Sequence, residues 1–263
     1  MNAALQDRMA RFLAWRRSEP RTLELMVLFG ALLYAFVQIA SEVIEGDTRH
    51  YDEALLRFLR NPADLNDPLG PWWVELMFRD LTALGGTSVL ALLTTFAIGY
   101  LFLIGKRANA LLVVVAVVGG ALLSHFLKLG FDRPRPEVVA KLAEVRTLSF
   151  PSGHAMLSAV TYMTLGALVA RVQGGLHARA YLMSIAVILT VVVGSSRVYL
   201  GVHYPSDVLA GWCAGAAWAL ACWLVARRLE RRGTVEPPAP ASPSDVPAPT
   251  DTPPRVEPSA KKP

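Results

Sequence analysis

Three short polar stretches carry the residue types from which chemistry could be built. They are KLGFDRPRP (residues 128–136), FPSGH (150–154) and SRVYLGVHYPSD (196–207). Lys128, Arg135 and Arg197 supply three cations. Pro134 and Pro136 bias Arg133 and Arg135 away from helix and hold them extended, which suits an arginine pointed at a target. In the second stretch, Gly153 lets a ligand approach the backbone, and a helix opening there would turn free N–H groups toward an anion such as phosphate. The Ser152 hydroxyl can add a donor. His203 and Asp207 are four residues apart. If Pro205 opens a helix, Asp207 lies in its first turn and can reach back to one nitrogen of His203. A carboxylate on Nδ1 fixes the tautomer and leaves Nε2 as a lone-pair nucleophile. His154 is a second imidazole, suited to proton transfer near neutral pH. Cations, a helix-start cradle, an oriented histidine and a free histidine together suit phosphoryl transfer, where the work is positioning and charge stabilisation.

Each feature has a plainer reading. The His203/Asp207 pair alone is a common helix-start hydrogen bond, and the segment 151–154 alone is a turn before a helix. Lys128 and Arg135 alone could be interfacial or topology charges. Arg133 reads as structural, His125 as a hydrogen-bonded packing histidine, and His50 and His177 carry no signal. Histidine with aspartate can also hold zinc, but three cations at the same place argue against a metal. The chemical reading rests on all three stretches meeting at one spot.

The elements that would bring them together are visible in the spacing of charges. Between Glu24 and Glu42, Asp80 and Lys106, Arg107 and Lys128, Arg146 and Arg171, Arg179 and Arg197, and Asp207 and Arg227, no Asp, Glu, Lys or Arg occurs. These gaps run from 17 to 25 residues, the length a helix needs to cross a hydrocarbon core of about 30 Å. The chain is 53% hydrophobic and only 18% charged. Six such runs could not all be buried in a soluble protein of this size. None of the prolines outside the C-terminal segment falls inside a span, Pro151 preceding the helical part of its gap, so unbroken helices are expected. In a six-span chain the end of span three, the start of four, the end of five and the start of six share one side. The three polar stretches therefore converge.

Lys and Arg in the flanks set orientation. With a cytoplasmic N-terminus, 13 cations flank the inner ends and 10 the outer. If Lys128, Arg135 and Arg197 are phosphate ligands, the balance is 13 to 7. The first span reads as an anchor, since its apolar run is long and no clear small-x-small cleavage site follows. The net charge of +5 follows from this orientation and needs no nucleic-acid partner. Cys213 and Cys222 fall on opposite faces of one helix and cannot bridge within the chain.

Three regions are expected: a basic cytoplasmic segment 1–21, a six-span domain 22–230 and a disordered Pro/Ala-rich cytoplasmic tail 231–263, which the composition keeps from forming a core. Within the domain, the external segment 44–80 reads as two short amphipathic helices on the outer leaflet, with Tyr51, Leu55, Phe58 and Leu59 on one face of the first and Trp72 and Trp73 at the interface. A plain connecting loop is the competing reading.

The three stretches together resemble the signature of the type 2 phosphatidic acid phosphatase superfamily. Its parts are lysine, six residues, Arg-Pro; then Pro-Ser-Gly-His; then Ser-Arg, five residues, His, three residues, Asp. All match in order, over residues 128–207, and the six-span layout extends the likeness to about 22–230. The resemblance implies an all-α, polytopic membrane protein: a six-transmembrane-helix bundle of the phosphatidic acid phosphatase type 2/haloperoxidase kind. It implies a phosphatase without metal or other cofactor. His203 would attack phosphorus and form a phosphohistidine, and Asp207 would orient it. His154 would protonate the leaving oxygen and then help activate water. Lys128, Arg135, Ser152, Gly153 and Arg197 would hold the phosphoryl oxygens. The vanadium haloperoxidases share the pocket but are soluble, so the six spans disfavour them.

A pocket at the outer face of the cell (inner) membrane, with both termini cytoplasmic, implies a lipid phosphate or diphosphate partner from that leaflet. Undecaprenyl diphosphate stands first, with phosphatidic acid and phosphatidylglycerol phosphate close behind. A lipid phosphotransferase would use the same residues. A transporter would need ionisable residues deep within spans, and the charge gaps hold no Asp, Glu, Lys or Arg. A non-enzymatic lipid-phosphate binder would not need His154, His203 and Asp207. Oligomeric state leaves no mark in the sequence.

Overall fold

The computed structural model describes residues 20–145 and 147–231. The basic segment expected at the N-terminus lies almost wholly outside the described residues, as does the Pro/Ala-rich tail. Eight helices are described: α1 (Pro20–Glu45), α2 (Arg49–Phe58), α3 (Trp72–Ala83), α4 (Thr87–Leu103), α5 (Arg107–Phe131), α6 (Gly153–Arg171), α7 (Leu176–Tyr199) and α8 (Pro205–Arg231). Between α2 and α3 a small antiparallel hairpin joins β1 (Arg60–Asn61) to β2 (Asp64–Pro68). The sequence reading did not foresee this hairpin.

Among the described residues, α1, α5, α6, α7 and α8 are each long and apolar enough to cross a bilayer, and α3 with α4 passes as a pair bent by 44°. The pair corrects the expectation of an unbroken second span. The break falls at Leu84–Gly86 and owes nothing to proline. Gly85 packs directly on α7, where a Cβ would overlap Val193 Cγ1 and lie 3.4 Å from His154 Cδ2. Gly86 is extended and caps α4. The second of the two expected surface helices, α3, is thus the outer arm of this bent element.

Large apolar side chains such as Val27, Tyr34, Phe96, Leu111, Leu122 and Ile188 stand exposed along the helices. Lipid suits such surfaces, and it also removes hydrophobicity as a force between helices, so close packing of small residues must replace it. The contact of α8 with α6 shows this. A Cβ on Gly211 would come within 2.8 Å of the Ser152 carbonyl, and one on Gly215 would collide with the Met156 carbonyl. These glycines, four apart, seat the start of α8 against the start of α6. At the far end of the same two helices, Arg171 grips Glu230 with both guanidinium nitrogens, at 2.9 and 2.5 Å. α6 is central and packs against α4, α5, α7 and α8.

The amphipathic helix α2 forms as expected, but the residues it turns into the protein are Asp52 and Leu56, not the expected apolar face. Tyr51 and Phe58 are 77% and 71% exposed, whereas Asp52 is 2% exposed. Leu56 anchors the helix in a cluster with Val139, Tyr204 and Val208. His125 departs from its expected role. It is exposed on α5, with its ring against Phe126. Cys213 and Cys222 are free and half-buried.

Candidate active site

α5 ends at Asp132, whose left-handed backbone (φ 46°) turns the chain out of the helix. Aspartate tolerates this conformation better than most residues. The following prolines hold Arg133 and Arg135 extended, and side chains two apart in extended backbone point the same way. They reach a common target. Arg133 Nη1 donates to Asp207 Oδ1 at 2.6 Å, and Arg135 Nη1 lies 3.1 Å from His203 Nε2. Arg135 is steadied by the carbonyls of Val202 and Thr147, both at 2.6 Å.

Pro205 does open α8, and Asp207 sits in its first turn. Its Oδ2 accepts from Ser149 Oγ at 2.5 Å and from Tyr204 N–H at 2.9 Å, and it lies 3.3 Å from His203 Nδ1. A guanidinium can only donate, so Nε2 of His203 is the acceptor and Nδ1 carries the proton toward Asp207. His203 is 1% exposed. Burial pushes its imidazole down to about 4; Asp207 pulls the other way, and Arg135 and Lys128 push further down. At neutral pH the ring is neutral, with its lone pair on Nε2.

The start of α6 faces the same spot. Ser152 is fully buried; its Oγ caps the Ala155 N–H, and its own N–H donates to the Asp207 carbonyl at 2.9 Å. The cap leaves the first N–H groups of α6, those of Gly153 and His154, at the open end of the helix. A Cβ on Gly153 would lie 3.6 Å from Lys128 Cε, an ordinary contact. Protein packing alone therefore does not require glycine there.

The cations close the ring. Lys128, in the last turn of α5, donates to the Leu148 carbonyl at 2.7 Å. Arg197 is 3% exposed, and its Nη1 donates to Thr82 Oγ1 at 2.8 Å. Among the described residues its Nε is buried without a partner, an orphan donor of the kind that an anion satisfies. The charged neighbours of His154 are Arg197, Arg135 and Lys128, with His203 beside them. Every site residue expected from sequence is thus gathered at one end of the bundle.

Three contributors carry no signal in the sequence: Ser149 holds Asp207, Thr82 holds Arg197, and Asp52 holds Arg133 at 2.8 Å. Arg133, expected to be structural, holds Asp207 directly. Asp52 comes from α2, 81 residues before Arg133, and no local spacing points to it. Among the described residues no group of three His, Cys, Asp or Glu side chains is arranged to hold a metal ion.

This arrangement can hold a tetrahedral oxyanion between three cations and a helix start, with a neutral imidazole lone pair at its edge. Comparison with known proteins points the same way. Residues 109–231 match the PAP2 superfamily. The chain is 30% identical over 189 residues to phosphatidylglycerophosphatase B of Bacillus subtilis, which covers 70% of this chain and 88% of that one. It is 33% identical over 138 residues to decaprenylphosphoryl-5-phosphoribose phosphatase of Mycobacterium tuberculosis, covering 50% of this chain and 66% of that one. A crystal structure of a transmembrane PAP2-type phosphatidylglycerolphosphate phosphatase from Bacillus subtilis superposes with a TM-score of 0.68 at 28% identity, over 77% of this chain and 98% of the other. With its lipid-facing helices and this site at one end of the bundle, the chain is an integral membrane protein that belongs to the PAP2 superfamily.

Proposed function

We propose that the protein is a metal-independent lipid phosphatase that removes phosphate through a phosphohistidine on His203, at the outer face of the cell (inner) membrane with both termini cytoplasmic. One observation carries the reading: the buried, neutral His203 turns Nε2 toward Arg135, inside a ring of Lys128, Arg135 and Arg197. In-line attack by Nε2 on the terminal phosphorus forms the N–P bond as the bond to the leaving oxygen breaks, the lipid oxygen of a monoester or the bridging oxygen of a diphosphate. His154 gives its proton to that oxygen. It then takes one from water, whose oxygen attacks the phosphohistidine and releases inorganic phosphate. Lys128, Arg135, Arg197, Ser152 and the helix-start N–H groups of Gly153 and His154 hold the equatorial oxygens. Asp207 stabilises the positive charge that His203 carries in the intermediate.

The substrate class is a lipid phosphate monoester or diphosphate whose tail stays in the bilayer while its head enters the site. The relatives' own substrates support placing phosphatidylglycerol phosphate beside undecaprenyl diphosphate at the head of the candidates, followed by phosphatidic acid. The test is phosphate release by purified protein from these three lipids in mixed micelles, with EDTA present. Turnover of at least one is expected, together with an acid-labile phosphoryl label that His203→Ala abolishes. Full activity in His203→Ala would overturn the mechanism, and loss in EDTA restored by a divalent ion would overturn its independence of metal.

A further inference from the structure

We propose that Asp52 is a positioning residue for this reaction, acting through Arg133 on Asp207; the inference rests on the assignment of His203 and Asp207 above. The three charged groups form a chain. Asp52 Oδ2 accepts from Arg133 Nη2 at 2.8 Å, and Arg133 Nη1 donates to Asp207 Oδ1 at 2.6 Å. Ser206 ties both ends together. Its Oγ accepts from Arg133 Nη1 at 2.8 Å and donates to Asp52 Oδ2 at 2.5 Å, while its N–H donates to Asp52 Oδ1 at 2.9 Å. Tyr204 stacks beneath the guanidinium at 4.2 Å. Asp52 and Asp207 side chains are 3% and 0% exposed, and that of Arg133 is 12% exposed.

Charge balance gives this chain its purpose. Asp207 must present a negative charge to His203, because the ring turns positive when Nε2 bonds to phosphorus. Arg133 fixes the rotation of the Asp207 carboxylate: Oδ1 is held by Arg133 and Oδ2 is left to His203, Ser149 and Tyr204. A buried arginine in that place would also cancel the charge it positions. Asp52 offsets it, so the trio Asp52–Arg133–Asp207 keeps one net negative charge, and the face of Asp207 toward His203 carries it. Asp52 serves the reaction without touching the substrate. Its helix is separately anchored by fully buried Leu56, so the isosteric change to asparagine leaves α2 its packing.

The test uses the full chain in mixed micelles with the three lipids above. Asp52→Asn is expected to lower kcat about 10- to 100-fold, the scale of losing a partner that orients a functional ligand, with KM unchanged. Asp52→Glu should recover part of the loss. In an Asp207→Asn background Asp52→Asn should cost little more, because both changes act on one charge. A readout without substrate accompanies these: the ring 15N shifts of His203 should move in Asp52→Asn while those of exposed His177 stay fixed. If Asp52→Asn does not fold, Arg133→Lys carries the same test, since a point charge cannot bridge both carboxylates as the guanidinium does. Wild-type kcat with unmoved His203 shifts, or a loss undiminished in the Asp207→Asn background, would overturn the proposal. Activity in His203→Ala would instead overturn the nucleophile assignment, whatever Asp52→Asn does.

Discussion

Arg135 Nη1 stands 3.1 Å from His203 Nε2. The contact identifies which nitrogen of His203 holds the lone pair, and it places a cation where the lone pair points. In the proposed reaction, an anion entering the site takes over Arg135 as its ligand and meets the freed lone pair at the same moment, so that binding and nucleophile release are one event.

On the mechanism proposed above, the ionisation of His203 sets the acid limit of activity. Its imidazole is held down to about 4, chiefly by burial. The nucleophile is thus neutral from pH 5 upward and is lost only as pH falls through about 4. The His203 limb of kcat/KM, which reports the free enzyme, should lie near 4 and not near 6.5. Arg135 pushes this ionisation down, so Arg135→Gln should move the limb upward; Asp207 pulls it up, so Asp207→Asn should move it lower still. Profiles of kcat/KM against pH for the three proteins check the signs.

Asp207→Asn keeps the shape of the side chain but removes the charge and can favour the wrong tautomer of His203. The expected loss is about 10³- to 10⁴-fold in kcat, the scale seen when the orienting carboxylate of a catalytic histidine is neutralised. Ser149→Ala removes one donor to the same carboxylate, and a loss of roughly 10-fold is expected for a hydrogen bond to a charged group. Steady-state rates with the same lipid compare the two.

Orthovanadate should inhibit competitively by occupying the oxyanion site. Arg197→Lys should weaken it nearly as much as Arg197→Ala, because the planar fork held by Thr82 cannot be replaced by an ammonium. Gly153→Ala should keep its thermal stability, since a Cβ there meets only an ordinary contact with Lys128. It should still raise the inhibition constant, because the methyl takes up space at the helix start. Inhibition constants and melting temperatures separate these effects.

Gly85 joins the bent span to the site. A Cβ there overlaps Val193 and approaches His154. Gly85→Ala should lower stability by about 1–3 kcal/mol, the cost of overpacking a close contact, and reduce activity through His154. Val193→Ala opens the clash and should restore much of both. Thermal unfolding in detergent and turnover of the double variant test this.

The sequence alone determined where the apolar helices lie, apart from the break in the second span, and which three polar stretches meet. Charge gaps are one-dimensional, and a bilayer turns them into helices of known length. Parity then brings 128–136, 150–154 and 196–207 together without knowledge of packing. The tie between His203 and Asp207 was legible because both lie within one helix turn of Pro205. Tertiary structure decided whatever depends on contacts between distant segments. The bend at Gly85 comes from the close approach of α7, which no local pattern announces. The inward turn of Asp52 is invisible to local spacing, because its partner is an arginine 81 residues away. Hydrophobic periodicity shows that a helix has two faces; only packing decided which of them met the protein.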